Sequence, residues 1–438
     1  MGSIDLTVAP TASDHLTAPP LNVAVIGAGL AGLVAARALK TEGHRVVVYE
    51  KSERLGGTWA YDPRVESDPL SLDPDREIVH SSLYQSLRTN LPRQLMGFSD
   101  YPFSTYGDPR TFPGHPEVLR FINEFAAEFR LAELIRFETE VVRVERVDSR
   151  NDEWIVESRT REMSSNELFD AVVVCSGHHT IPKLADFPGR EKWAGQQIHS
   201  HNYRVPDPFQ NQVVVVIGDG PSAWDISLEI ADVAKQVYLS SRSPKVKVAK
   251  LDCGDNIWQH SKIDHANENG EVVFEDGAVV HADIILHCTG FMYSFPFLKT
   301  EGIVIVEEGR VGPLYKHIFP PKLGPNLSFL GIPCMTVATQ TIYFQAKWVA
   351  RILSGKVWLP SEEEMETEVR QHYQLMEEKG IPKHYTHALQ FELDYLDWLA
   401  NQVGEIVHET THLYVKSYVK FVFEGNKQRL REWEPNLM

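Results

Sequence analysis

Cysteine is scarce in this chain, and Cys175, Cys253, Cys288 and Cys334 lie far apart with no C-x-x-C pair. That spacing excludes a zinc ribbon and a disulfide-stapled scaffold, and it fits a reducing compartment. Positive charge is short too: 43 Lys and Arg stand against 60 Asp and Glu, for a formal charge of −17. Such an acidic chain is not suited to nucleic acid or an anionic membrane surface as its main partner. No apolar run approaches the roughly 20 residues that span a bilayer. Internal repeats and low-complexity tracts are missing. The opening MGSIDLTVAPTASDHLTAPP has no apolar core and no Arg, so it reads as neither secretory signal nor transit peptide. Leu6 stands where a myristoylation signal wants Ser or Thr. Residues 1–20 are expected to form a flexible tail on a cytosolic protein.

What is present is the chemistry of two nucleotide loops. The length of 438 residues, with 43% apolar and 24% charged content, suits a soluble enzyme of two or three domains. NVAVIG leads through a Gly-rich turn into an Ala-rich helix and then into RVVVYE, a complete β-α-β unit. Gly27, Gly29 and Gly32 give G-x-G-x-x-G at the strand-to-helix turn. The first glycine permits the turn, the second lets backbone approach a pyrophosphate, and the third lets helix and strand pack closely. Glu50, ending the next strand, is placed to accept hydrogen bonds from a ribose. Gly56 and Gly57 follow, and adjacent glycines serve equally a bound ring or a plain turn.

The second unit starts with VVVVIG. Gly218, Gly220 and Ser222 lie in its loop, where Ala223 replaces the third glycine. Its second strand ends in Ser240, Ser241 and Arg242 instead of an acid. Arg242 and a serine hydroxyl suit a 2′-phosphate, and one charge-assisted contact of about 1.5–3 kcal/mol gives roughly tenfold or greater preference for NADPH. Otherwise Arg242 is a solvated loop residue.

Between the loops, Ser52 to Pro113 reads as a long irregular segment. HPEVLRFINEFAAEF follows as a helix carrying Val118, Phe121, Ile122, Phe125 and Phe129 on one face. EVVRVERV and EWIVES alternate like an antiparallel layer, and VVFEDGAVVH carries the Asp-Gly signature of a hairpin. Cys175 and Cys288 sit in apolar strand-like runs, and His178 and His179 follow a strand end as surface or interdomain residues. The C-terminal third reads as mainly helical.

These motifs together resemble the class B flavin-dependent monooxygenases, and within them the flavin-containing monooxygenases. WAGQQIHSHNY places Trp193, Gly195, His199 and Tyr203 on the family's F-x-G-x-x-x-H-x-x-x-Y pattern, with Trp in place of Phe. GGTW, containing Gly57, Thr58 and Trp59, matches the segment after the FAD unit. CSGHH and HCTGF match its two domain-crossing strands, and SLYQSLRTNLPRQLMGFSDYPF its active-site segment. VESDPLSLDPDREIVHSSLY and HSHNYR are similar to the plant S-oxygenating branch.

The resemblance implies an α/β fold of two Rossmann-like dinucleotide-binding domains, the NADPH domain inserted into the FAD domain. The expected boundaries are 21–180 and 291–438 for FAD, and 181–290 for NADPH. It implies FAD and NADPH as cofactors, no metal, and transfer of one oxygen from a C4a-hydroperoxyflavin, formed with O₂, to the sulfur of a small thioether. S-alk(en)yl-cysteines and methylthioalkyl glucosinolates are such substrates. Asn90 matches the family's active-site asparagine, although its neighbours alone read it as a turn residue before Leu-Pro. His199 and Tyr203 are expected to brace the linker. N-hydroxylation of an amine uses the same machinery and is the alternative. A flavin disulfide reductase would need a cysteine pair that is missing, and a non-catalytic NADPH sensor would lack flavin.

Overall fold

The computed structural model describes residues 19–104, 107–148, 151–243, 247–423 and Trp433. The expected tail, apart from Pro19 and Pro20, lies outside the described residues. Asn22–Ile26 is an apolar run whose Val23, Ala24 and Val25 are fully buried. A strand buried on both faces requires parallel neighbours and a layer over each side. It pairs in parallel with Arg45–Tyr49 and Ala171–Val174, and Ile135–Arg136 and Leu327–Phe329 complete a five-stranded sheet. Side chains alternate between its faces. Val23 and Val25 meet α1 (Leu30–Thr41) and α2 (His115–Glu128), whose Val118, Phe121, Ile122 and Phe125 are buried. Ala24 and Ile26 meet Val144, Trp154 and Val156 of the antiparallel layer Glu140–Asp148, Asn151–Arg159 and Ser164–Phe169. Phe129 caps the end of α2 half-buried, with the Arg37 guanidinium 3.6 Å from its ring centre.

The second sheet runs Ala249–Lys250, Ile257–His260, Gln236–Ser240, Val213–Ile217, Ile284–His287, Gln196–His199. Only its first pair is antiparallel. Helix α3 (Pro221–Ala231) covers one face through Ile226 and Ile230. All these strands fall between Ala171–Val174 and Leu327–Phe329 of the first sheet, so the second unit is inserted into the first. Where the chain leaves and returns, Ile181–Pro182 pairs antiparallel with Phe291–Met292. The fold is α/β, with two Rossmann-like dinucleotide-binding units. The Asp276-Gly277 hairpin closes over three residues, with Gly277 at φ +87° and Phe274 N–H bonded to Ala278 O at 2.9 Å.

The helical C-terminal third begins only at Ala338. Before it, residues 291–335 are turns and short strands, because Pro296, Pro313, Pro320, Pro321, Pro325 and Pro333 remove amide donors and break helical sterics. Then come α4 (Ala338–Leu353), α5 (Glu362–Glu378), α6 (Asp394–Gln402) and α7 (Glu409–Phe423). Trp348 of α4 is fully buried and packs in the cluster that includes α1. Among the described residues no helix is long and apolar enough to cross a membrane.

Candidate active site

Residues of both Gly-rich loops line one cavity of about 2210 Å³. A single small-molecule pocket is roughly 300–1,000 Å³. The cavity therefore holds more than one ligand of that size. Of the residues singled out from the sequence, Gly27, Gly29, Glu50, Gly57, Thr58, Trp59, Asn90, Gly218, Gly220, Ser222, Ser241 and Arg242 line it, and Gly32 does not.

Each glycine of the first loop has its own reason. Gly27 has φ +104°, and a Cβ there would stand 2.6 Å from Cys175 O. A Cβ on Gly32 would stand 1.8 Å from Gly27 O, so Gly32 is spent on helix-to-strand packing. Gly29 starts α1, and a Cβ on Gly57 would lie 2.9 Å from its Cα, so two glycine segments face each other across the floor of the cavity. Glu50 has a task the sequence reading missed. Its Oε2 accepts Ala28 N–H at 2.9 Å, and its Oε1 accepts Ser52 N–H at 2.9 Å and Ser52 Oγ–H at 2.8 Å. It braces the loop, and Oε2 keeps a lone pair for a ligand hydroxyl.

The second loop repeats the device. Gly218 has φ +144°, with a would-be Cβ 2.4 Å from Cys288 O, and Ala223 is fully buried beneath it. Gly220 starts α3 with open space around it. Ser241 is buried, with its Oγ accepting Ser243 N–H at 3.2 Å, and Arg242 is exposed on the cavity wall.

Neither α1 nor α3 has a side-chain cap or an acid in its first turn. By contrast α5, away from the cavity, carries a Ser361–Glu364 capping box and Glu362, Glu363 and Glu364 in its first turn. Uncapped amide ends whose first turns carry no acid, both facing one cavity, suit anionic phosphates. Ser176 Oγ, buried beside the first loop, has no hydrogen-bond partner among the described residues and lines the same cavity. The residues fit two dinucleotides. Burial raises the thiol pKa of Cys175 and, for Cys288, pushes it up to about 12, so both are unreactive packing residues.

Asn90 reaches the cavity on a turn fixed from several sides. Thr89 N–H and Arg93 N–H bond Pro113 O at 2.9 Å and Thr111 O at 2.8 Å, and Arg88 Nε bonds Phe112 O at 2.8 Å. The Tyr418 hydroxyl of α7 donates to Asn90 O. The cavity residues around this turn include Leu91, Met335, Phe391, Val419 and Val422. Met335 (φ +51°) and Phe391 (φ +59°) are left-handed non-glycine residues joined by Phe391 N–H to Met335 O at 2.7 Å. Such backbone strain costs on the order of 1–3 kcal/mol per residue and concentrates at functional sites.

The insert VESDPLSLDPDREIVHSSLY and the run HSHNYR form one clasp. Glu66, its side chain fully buried, accepts Arg76 Nε at 2.5 Å, Val79 N–H at 3.1 Å and His201 Nε2 at 3.1 Å. Asn202 Oδ1 accepts Glu66 N–H at 2.9 Å, and Asn202 Nδ2 donates to Asp68 O at 3.2 Å and Pro69 O at 3.1 Å. Burial pushes the Glu66 carboxyl up, but hydrogen bonds from His201, Ser71 and Arg76 outweigh it and hold it at about 2. Ile78, His80 and Ser82, at the end of the insert, line the cavity. His199 and Tyr203 do not line it. His199 is fully buried, its pKa lowered by desolvation to about 3, and Tyr203 packs 5.5 Å from the Tyr84 ring. His178 and His179 face the cavity, with His178 against Tyr293 at 4.9 Å.

A family model described as FMO-like, flavin-binding monooxygenase-like, matches residues 21–252 and 248–416. The Arabidopsis thaliana flavin-containing monooxygenase FMO GS-OX-like 7 is 54% identical over 403 residues, 90% of this chain and 85% of that protein. Flavin-containing monooxygenase FMO GS-OX2 of the same plant is 50% identical over 438 residues, covering 98% and 93%. The structure of S-allyl-L-cysteine S-oxygenase from Allium sativum is 48% identical, with a TM-score of 0.91 over 95% of this chain and 96% of that one.

Proposed function

This chain belongs to the flavin-binding monooxygenase-like family, whose cofactors are FAD and NADPH, and on that premise we propose that it oxygenates the sulfur of a small thioether. The observation that carries the reading is the single cavity shared by both loops and Asn90. The first loop would hold FAD and the second NADPH, in a domain we set at 181–290, where the paired strands Ile181–Pro182 and Phe291–Met292 mark the crossings. Bound FAD, reduced by NADPH, supplies the activated oxygen from O₂. The chain supplies the rest. The amides at the starts of α1 and α3 hold the pyrophosphates, Glu50 holds a ribose, and Ser241 and Arg242 hold the 2′-phosphate. The Asn90 amide would donate a hydrogen bond to the oxygen being transferred, and Leu91, Met335, Phe391, Val419 and Val422 would limit water there.

Sulfur is favoured over nitrogen by charge. A thioether is a neutral, soft nucleophile and needs no base. An alkyl amine has a pKa near that of lysine, about 10.4, so freeing its lone pair at neutral pH costs about 4–5 kcal/mol. Among the described residues, the cavity lining contributed by 80–91, 330–342 and 382–422 includes no carboxylate, and its histidines His80 and His384 have pKa values lowered by burial, which makes them weak bases for an alkylammonium. The likeness to an S-allyl-L-cysteine S-oxygenase supports an S-alk(en)yl-cysteine or a similar thioether as substrate. A cytosolic location belongs to the same reading, supported by four free cysteines. The test is NADPH consumption with product mass across S-alkyl cysteines, methylthioalkyl glucosinolates and matched amines. Sulfoxides are expected from thioethers, and hydroxylamines as the main products would overturn the reading.

A further inference from the structure

We infer that Tyr418 is a positioning residue for Asn90, tying the oxygen-transfer end of the cavity to helix α7. The inference rests on the role proposed above for Asn90. Two stretches far apart in the chain meet here: the Tyr418 hydroxyl donates to the main-chain carbonyl of Asn90 across 328 positions. The ring is 4% exposed and is gripped by Phe112 and Phe391, with centroids at 6.4 and 6.1 Å. The ring is held by packing, and its hydroxyl is directed at that carbonyl.

The anchors of the turn leave a specific gap. Thr89 and Arg93 are tied by their amides to Pro113 O and Thr111 O, and Thr89 Oγ1 donates to Leu91 O at 2.8 Å. The peptide joining Asn90 to Leu91 lies between those ties, and Tyr418 is what fixes its carbonyl. Freeing that carbonyl would loosen the backbone at Asn90 and with it the placement of the side-chain amide in the cavity. Sub-ångström placement decides whether a donor meets a reacting atom. Burial pushes the phenol pKa upward, so Tyr418 remains a hydrogen-bond donor at every working pH.

Helix α7 also carries Val419 and Val422, which line the cavity beside Asn90. An apolar substrate arm pressing on that face acts on the same helix that holds the Asn90 carbonyl. Substrate contact and amide placement are thus coupled through one side chain.

Tyr418→Phe keeps the ring and its packing and deletes only the hydroxyl. In the resting holoprotein, amide hydrogen exchange over 88–93 should rise about two- to tenfold, the range set by one lost hydrogen bond. Exchange in α1 should not change. During turnover, hydrogen peroxide released per NADPH should rise, with FAD retained. In an Asn90→Ala background, Tyr418→Phe should add no further leak. Unchanged exchange over 88–93, or a leak that adds fully to that of Asn90→Ala, would overturn the role of Tyr418 while leaving Asn90 in place. If Asn90→Ala alone leaves the leak unchanged, the role of Asn90 fails and that of Tyr418 falls with it.

Discussion

Glu66→Gln removes one charge from the clasp that joins the insert to the second unit, and its consequences are calculable. The carboxylate is fully buried with Arg76, whose side chain is 7% exposed, and glutamine keeps the shape and one acceptor oxygen. Breaking a buried pair by removing one partner costs about 3–5 kcal/mol. The retained acceptor offsets part of that, so about 2–3 kcal/mol of destabilisation is expected. At about 1 °C per kcal/mol for a chain of 438 residues unfolding as one unit, the melting temperature at pH 7 should fall by about 2–3 °C. The pH dependence has a definite sign. Glu66 is held at about 2 in the fold against an ordinary 4.5. A carboxylate lowered in this way contributes stability fully present above pH 4.5 and lost as pH falls toward 2. The wild type should therefore lose stability faster than Glu66→Gln below pH 4.5, and the two melting curves should converge. FAD should remain bound, because Glu66 does not line the cavity. Differential scanning calorimetry from pH 7 to pH 3, with flavin absorbance at each point, makes the measurement. Equal melting temperatures at pH 7 with parallel acid profiles would refute the reasoning.

Gly29→Trp should lose FAD, because even a Cβ at Gly29 lies 3.5 Å from Gly57 Cα and an indole would fill the cradle; a yellow variant with full flavin content would contradict this. Arg242→Ala should raise the NADPH KM about tenfold while leaving NADH use unchanged, since one charge-assisted contact to the 2′-phosphate goes. Equal weakening of both cofactors would remove Arg242 from that task. Asn90→Ala should still oxidise NADPH but release more hydrogen peroxide and less sulfoxide. Lost donors at comparable preorganised sites cost about 2.7–4 kcal/mol, so the sulfoxide-to-peroxide ratio should fall about a hundredfold or more. An unchanged ratio would leave Asn90 as a turn residue.

The two β-α-β units were legible because their constraints are local. Gly27 and Gly218 need positive φ, Gly32 cannot carry a Cβ, and unbroken Val and Ile runs mark strands buried on both faces. The helices of the C-terminal third were legible in their apolar spacing, at Ala338–Leu353 and Glu362–Glu378, whereas the Pro-dense stretch before Ala338 carries apolar residues without that spacing. Glu50 lines the cavity, and its bonds to Ala28 and Ser52 depend on a loop path that spacing does not specify. The clasp of Glu66, Arg76, His201 and Asn202 joins positions more than 130 residues apart. Its one signal was that the insert and HSHNYR both resemble the same branch. Tyr418 had no signal at all, because a tyrosine in an amphipathic helix reads as core.

The central claim is that NADPH oxidation here delivers one atom of O₂ to sulfur. The direct measurement is turnover of S-allyl-L-cysteine with NADPH under isotopically heavy O₂, with the sulfoxide mass and its amount per NADPH determined together. The account predicts a sulfoxide carrying one heavy oxygen, formed nearly one for one with NADPH consumed. Heavy label found only in hydrogen peroxide and water, across the whole thioether panel, would contradict it.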